Sequence, residues 1–278
     1  MEPFVSWRWC EEHLGDAVLV DARWYWDRPG REAYEDGHVP GAVFVDLDGD
    51  LSSDPSDKAG RQPFPEPGAF AEAMGRAGID GSRPVVAYDD AGGVIASRLV
   101  WMLRLLDLDA AVLSGGLAAY PGSLESGSVQ PERADFRVRP WPAQQLLTTE
   151  DVARTGPQLI DARPANRYRG DDPEVDASLG RVPEADPRRG HIPGAINVPC
   201  RGHLDDDGAV KPPEHIRATF LAAGIDDASD VVSYCGAGVT ACHNLLAMEY
   251  AGLGRGRLYP GSWSAWSRDL ALPVETGE

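Results

Sequence analysis

Cysteine is scarce in this sequence. The four present, Cys10, Cys200, Cys235 and Cys242, form no CxxC pair and none of the short spacings that clamp zinc. A disulfide framework and a structural metal site are therefore excluded as the basis of the fold. Long apolar runs are missing too: no block of 18 apolar residues occurs, so no segment reads as a membrane-spanning helix. Positive charge is in short supply, because 26 Lys and Arg stand against 44 Asp and Glu for a net charge of −18. That balance opposes nucleic acid or an anionic membrane as a partner, since both need a positive footprint. The N-terminal stretch MEPFVSWRWCEEHLGDAV has neither a basic start ahead of an apolar run nor the Arg-rich, acid-poor character of a transit peptide, so the cytoplasm is the expected compartment. What is there is ordinary for a soluble folded protein: 42% hydrophobic and 25% charged residues over 278 positions, about twice a typical domain of ~150.

Sliding the chain against itself reveals a duplication. GIDGSRPVVAYDDAGGVIASRLVWM at 78–102 aligns without a gap to GIDDASDVVSYCGAGVTACHNLLAM at 224–248, an offset of 146. Over 78–120 against 224–266 the register gives 12 identities in 43 positions, where about 3 are expected from average residue usage. Upstream, VDAR at 20–23 pairs with IDAR at 160–163 and GHVPGAV at 37–43 with GHIPGAI at 190–196. Their offsets, 140 and then 153, place a 13-residue insertion in the second half between Arg163 and Gly190, a candidate site loop.

Each half alternates short β-branched runs with longer helical patterns, the order of a parallel sheet covered by helices. The class is α/β. Strands are expected at Ala17–Val20, Val43–Asp46, Val85–Tyr88 and Ala111–Leu113, then at Gln158–Ile160, Ala195–Val198, Val231–Tyr234 and Arg257–Tyr259. Helices are expected near Glu66–Ala77 and Gly93–Leu106, then near Pro213–Ala222 and Val239–Tyr250. The Gly-, Ser- and Pro-rich stretch at 121–142 lacks apolar period and reads as an ordered or semi-rigid linker.

The strand VVSY runs straight into Cys235-Gly-Ala-Gly-Val-Thr240 and then a helix. A cysteine there lies at the carboxyl end of a parallel strand, where ligands of open sheets bind. Glycines let the loop curl so that successive backbone N–H groups and the helix N-terminus aim at the sulfur, a field that favours a negative sulfur and a bound anion. Two competitors fail. The GxGxxA match at 236–241 is followed by Arg255 and Arg257 where a dinucleotide site needs an acid. A cysteine phosphatase needs an arginine six positions after the nucleophile, where Ala241 stands.

CGAGVTA after VVSY, the paired GHVPGA and GHIPGA turns, DAR at a strand end and PGSW at 260–263 together resemble the two-domain rhodanese family, and within it the loop is more similar to that of 3-mercaptopyruvate sulfurtransferases. The resemblance spans nearly the whole chain. It implies two tandem rhodanese-like α/β domains, each a parallel sheet flanked by helices: 1–125, a linker at 126–142, and a catalytic domain at 143–278. It implies that Cys235 takes a sulfane sulfur as a persulfide, with no metal or organic cofactor. Asp89, 146 positions before Cys235, resembles the nucleophile position of an inactive first domain.

Further roles follow from the resemblance. The amides of Gly236, Ala237, Gly238, Val239 and Thr240 would stabilise the charged sulfur. Arg167 in DARPANRYRG matches the donor-binding arginine, whereas the position of a second one holds Glu184; Arg181 is the nearest substitute, with Arg163, Arg169 and Arg188 as alternatives. His38 and His191 would organise their turns through imidazole hydrogen bonds, and His38 could also face the site. Asp161, Ser262 and Trp263 are expected around the loop. Ala237 stands where the mercaptopyruvate branch has a serine proposed to work with a histidine, so that relay is in doubt. Cys242 is expected in the core, and Trp24, Trp26, Trp263 and Trp266 either wall a cleft or pack. The donor is expected to be a small anion, 3-mercaptopyruvate favoured over thiosulfate because Gly236 and Ala237 are neutral. The acceptor is expected to be a thiol, a thioredoxin-like protein among the candidates, or cyanide. A sulfur-carrier or regulatory module without turnover is the reading from another class, and the intact nucleophile argues against it.

Overall fold

The computed structural model describes residues 1–13, 15–155, 158–171 and 186–277, which form two compact units. The first comprises Met1–Ser53, Phe64–Pro142 and Leu204–Val210; the second comprises Asp54–Pro63, Ala143–His203 and Lys211–Glu278.

In the first unit five parallel strands, β1 (Phe4–Val5), β2 (Val18–Asp21), β3 (Val43–Phe44), β4 (Val85–Tyr88) and β5 (Ala110–Leu113), lie in the order β1-β5-β4-β2-β3. Helices α1 (Trp7–Glu12), α2 (Gly30–Asp36), α3 (Pro67–Arg76) and α4 (Ser97–Leu105) connect them. In the second unit β6 (Gln158–Asp161), β7 (Ile196–Asn197), β8 (Val231–Tyr234) and β9 (Arg257–Leu258) lie in the order β7-β6-β8-β9, also parallel. Its helices are α5 (Thr149–Thr155), α6 (Ala165–Arg169), α7 (Pro213–Ala222), α8 (Ala241–Tyr250) and α9 (Ser262–Trp266). Every residue of β4, β5 and β8 is buried, as an all-parallel sheet covered on both faces demands, which is why these strands read as continuous apolar runs.

The duplication extends to side-chain hydrogen bonds. At the end of β2 Asp21 takes three bonds from the Arg23 guanidinium, whose Nη2 also donates to the Gly37 carbonyl; Asp161, Arg163 and Gly190 repeat this at the end of β6. Tyr34 donates to the Ala42 carbonyl and stacks on His38, as Tyr168 donates to Ala195 and stacks on His191. Such buried, hydrogen-bonded groups fix the path of the GHxPGA turn.

The segment at 126–142, read as a linker, packs within the first unit: Phe136 meets Phe70 edge to face, the Val129 N–H bonds the Tyr34 hydroxyl, and Trp141 donates to the Pro65 carbonyl. Spaced aromatic anchors carry this packing, so no period of 2 or 3.6 betrays it. The helices expected to begin at Gly93 and Val239 begin at Ser97 and Ala241 instead, because the preceding residues curl as a loop.

Candidate active site

Strand β8 ends at Tyr234 and delivers Cys235 into the loop before α8. Gly238 adopts φ +75°, and a Cβ there would lie 2.6 Å from the Pro260 carbonyl oxygen, so only glycine fits. This turn brings the Gly238 N–H to 3.1 Å from the Cys235 sulfur. The PGSWS segment braces the loop from the other side. Trp263 N–H donates to the Cys235 carbonyl at 3.0 Å and Ser264 N–H to the Gly236 carbonyl at 2.9 Å. Ser262 Oγ accepts from the Cys235 N–H at 3.2 Å and donates to the Tyr259 carbonyl at 2.9 Å. Ser262 itself sits at φ +50°, a conformation uncommon outside glycine that these bonds hold in place.

The first unit displays the same loop with its charge in place. Asp89 is fully buried, and its carboxylate accepts four backbone N–H bonds: Ala91 and Gly93 on Oδ1 at 2.8 and 2.6 Å, Ile95 and Ala96 on Oδ2 at 2.8 and 2.9 Å. Burial pushes this carboxyl up while the amides oppose it. The four donors fill the lone-pair sites of an ionised carboxylate and leave no place for a proton. The loop is thus an anion cradle made of backbone.

Cations gather beside the cysteine loop within the second unit. A Cβ placed on Gly236 would lie 3.1 Å from Arg61 Nη2 and 3.6 and 3.7 Å from the Arg167 terminal nitrogens, so two guanidinium groups cover this glycine. Arg167 is carried by α6, which Gly170 ends at φ +80°. Arg61 is carried by the segment Asp54–Pro63: its N–H donates to Ser264 Oγ at 3.1 Å, and Gly60 lies so close to the PGSWS turn that a Cβ would meet Ser264 Oγ at 2.5 Å. The buried Asp186 carboxylate pairs with Arg61, with Arg167 at 3.6 Å and with Arg268 at 3.5 Å.

Ser262, Trp263 and the loop residues 236–240 come together around Cys235, and Arg167 reaches Gly236. Arg181 lies outside the described residues. Of its alternatives, Arg163 is bound to Asp161 and the Gly190 carbonyl, Arg169 pairs with Asp171, and Arg188 donates to the backbone carbonyls of Trp266, Ser267, Asp269 and Leu272. Asp161 therefore acts on the framework through Arg163, whose guanidinium lies 4.8 Å over the Trp263 ring. His38 lies in the first unit, where Nδ1 is 2.9 Å from the Tyr34 carbonyl and Nε2 is 4.0 Å from Glu125. Cys242 is buried and its thiol lies 3.4 Å from the Gly238 carbonyl, as a structural residue. Trp263 and Trp266 pack in the core of the second unit, and Trp24 meets Trp26 edge to face. Sequence reasoning missed Arg61, Asp186, Ser264 and Arg268. Among the described residues no cluster of three His, Cys, Asp or Glu side chains is placed to hold a metal ion.

Fold and site define a duplicated α/β module in which one copy presents a cysteine in a backbone anion cradle and the other a carboxylate. The model of the Rhodanese-like domain matches residues 6–122 and again 143–269, and the chain belongs to the rhodanese family. A Mycobacterium tuberculosis protein provisionally named a thiosulfate sulfurtransferase is 38% identical over 273 residues, covering 95% of this chain and 92% of its own. The 3-mercaptopyruvate sulfurtransferase of Escherichia coli K12 is 35% identical over 285 residues, covering 98% of this chain and 97% of its own. The solved structure of the 3-mercaptopyruvate sulfurtransferase from Leishmania major superposes with a TM-score of 0.85 at 30% identity, over 98% of this chain and 76% of its own.

Proposed function

We propose that the chain is a sulfurtransferase that carries a sulfane sulfur from 3-mercaptopyruvate to a thiophilic acceptor on Cys235. The observation that carries this reading is the cysteine loop, with an amide at 3.1 Å from the sulfur and a twin that binds a carboxylate through four amides. The Cys235 thiolate attacks the donor sulfur and a sulfur–sulfur bond forms. The carbon–sulfur bond breaks, its electron pair leaves on carbon as the enolate of pyruvate, and a proton from solvent completes pyruvate. A thiolate acceptor, or cyanide, then attacks the outer sulfur and restores the Cys235 thiolate. By the register of the duplication, the amides of Ala237, Val239 and Ala241 correspond to three of the four that hold Asp89, and they stabilise charge on the outer sulfur; the fourth, the Cys242 N–H, donates instead to the Val239 carbonyl at 3.0 Å.

A specific observation favours thiosulfate as a second donor. Arg61 and Arg167 over Gly236 supply the positive charge that the side chains of Gly236 and Ala237 lack. Three guanidinium groups, those of Arg61, Arg167 and Arg268, face two carboxylates, those of Asp186 and Asp57, so one net positive charge remains and the site matches one carboxylate better than a dianion, which keeps 3-mercaptopyruvate first. A thioredoxin-like protein fits as acceptor because it presents a thiolate, and a cytoplasmic location fits four buried cysteines outside any disulfide.

The test is the intact mass of the protein after mixing with each donor. The expected result is a gain of one sulfur atom in wild type, reversed by a thiol, and no gain in Cys235→Ser. A Cys235→Ser protein that still turns over would overturn the persulfide route.

A further inference from the structure

We infer that the C-terminal segment at 274–277 is a strap that positions Arg167, with Glu275 and Gly277 as positioning residues that act through α6. This rests on the sulfurtransferase reading with Arg167 at the donor.

Helix α6 has only five residues, too few to hold a helical course by itself, so tertiary contacts must fix it. Its N-terminal end follows directly on Arg163, which Asp161 and the Gly190 carbonyl hold. Arg167 lies in the last turn, where other contacts act. The Tyr168 ring stacks on His191 at 3.7 Å, and the Arg169 carbonyl, left without a helical partner at the end of α6, accepts the Gly277 N–H at 2.9 Å. His191 is in turn held by Glu275. Their backbones exchange N–H bonds of 2.8 and 3.0 Å, and the Glu275 carboxylate accepts the Gly194 N–H at 3.1 Å and lies 3.7 Å from His191 Nε2. The ring under Tyr168 and the cap on Arg169 both lead back to the strap. Its approach is close: a Cβ on Gly190, at φ +102°, would lie 2.0 Å from the Glu275 carbonyl oxygen, and one on Gly170, at φ +80°, 3.1 Å from Thr276 Cγ2. Left-handed glycines leave that room where α6 ends.

The first copy supplies an independent observation. LESG at 124–127 parallels VETG at 274–277, an offset of 150. Glu125 and His38 exchange backbone N–H bonds of 2.9 Å, and the Glu125 carboxylate accepts the Gly41 N–H at 3.1 Å. The Gly127 N–H donates at 2.8 Å to the carbonyl of Glu35, which follows Tyr34 as Arg169 follows Tyr168. The strap is therefore a part of the module that fixes the helix after the DAR strand end. What that helix carries differs: Ala33 precedes Tyr34, whereas Arg167 precedes Tyr168 and puts its terminal nitrogens 3.6 and 3.7 Å from a Cβ placed on Gly236. In the second copy the strap sets the reach of a cation.

The experiment deletes residues 275–278 and, in the full chain, makes Glu275→Ala, with circular dichroism to verify folding. It measures KM for 3-mercaptopyruvate and, by intact mass, the discharge of a preformed Cys235 persulfide by dithiothreitol, a neutral thiol with no anion for Arg167 to hold. The deletion is expected to raise KM about three- to tenfold, the range of one weakened hydrogen bond, with discharge unchanged. In an Arg167→Ala background it is expected to add nothing, because the strap acts through that side chain. An unchanged KM in the folded deletion, equal slowing of both half-reactions, or a full further rise in KM without Arg167 would each overturn the strap's role and leave the sulfurtransferase reading standing. Absence of a persulfide in wild type with either donor would overturn that reading itself. Should the deletion not fold, Glu275→Ala decides by the same measurements: a raised KM with unchanged discharge supports the strap, and an unchanged KM refutes it.

Discussion

Replacing Asp89 by asparagine tests whether this loop is an anion cradle, away from the chemistry of sulfur. Asparagine keeps the shape of the side chain and exchanges one acceptor for a donor. Its Nδ2 takes the place of either Oδ1, facing Ala91 and Gly93, or Oδ2, facing Ile95 and Ala96. In both orientations two buried N–H groups lose their acceptor and meet a donor. At about 1–3 kcal/mol for each unsatisfied buried group, the loss is about 2–6 kcal/mol. Removing a charge from a fully buried position offsets part of it, since burial is what pushes the carboxyl up. A net destabilisation of about 2–4 kcal/mol remains. With a urea dependence of about 1–3 kcal/mol per molar, the unfolding midpoint should fall by roughly 1–2 M. Urea titration followed by tryptophan fluorescence reads this directly. A midpoint unchanged within about 0.2 M, at equal slope, would refute the ionised, four-bonded carboxylate and with it the structural precedent for the cysteine loop.

Arg167→Ala should raise KM for 3-mercaptopyruvate about ten- to a hundredfold and Arg167→Lys should restore part of it; initial-rate kinetics with an unchanged KM would remove Arg167 from the donor site. Acid should destabilise the second unit through a buried imidazole pair: burial lowers His203 to about 4, and burial together with the neighbouring His203 and Arg201 lowers His243 to about 3. Both rings fold neutral, so protonation favours the unfolded chain; stability is complete above the unfolded value of about 6.5 and is lost as pH falls below it, by about 2 kcal/mol per ring at pH 5. Urea midpoints at pH 7.5 and 5.0 should show this loss in wild type and about half of it in His243→Gln, whereas equal pH slopes in the two proteins would refute the assignment.

The strands and the cysteine loop were legible because each carries a local signal. VVAY and VVSY sit in continuous apolar runs, and β4 and β8 occupy the expected Val85–Tyr88 and Val231–Tyr234. Strand β1 was missed because Phe4–Val5 is two residues between Pro3 and Ser6, too short for any period. Arg61 was missed for a different reason. Its partner Ser264 lies 203 positions away, and GRQPF carries no motif, so only the folded chain brings it to the cysteine loop. One signal was available: the duplication. Asp54–Pro63 and Leu204–Val210 follow the third strand of the first half and the second strand described in the second half, and each segment packs with the other half's unit. The 13-residue insertion drew attention to Arg181, which lies outside the described residues, and away from this segment.

Under the proposed function, comparison of the two copies gives a reason for placing the chemistry in the second. The cradle is shared, and what differs is whether its charge can leave. In the first copy the charge is a carboxylate covalently fixed to the chain, so the amides are permanently occupied. In the second the corresponding residue is a thiol, small and nucleophilic, and under the proposed function the charge on the cradle arrives with the donor rather than with the chain. The donor's approach differs as well. Tyr34 and Tyr168 hold equivalent places on their histidines, and the residue before each is Ala33 in the first copy and Arg167 in the second. Gly236, the glycine under Arg61 and Arg167, corresponds to Asp90, whose carboxylate accepts from the Tyr25 hydroxyl. An anionic donor would thus meet a negative charge in the first copy where it meets two guanidinium groups in the second. Restoring cysteine at position 89 alone would therefore not restore turnover, because the nucleophile and the cations that position its substrate are separate elements, both of which the first copy lacks.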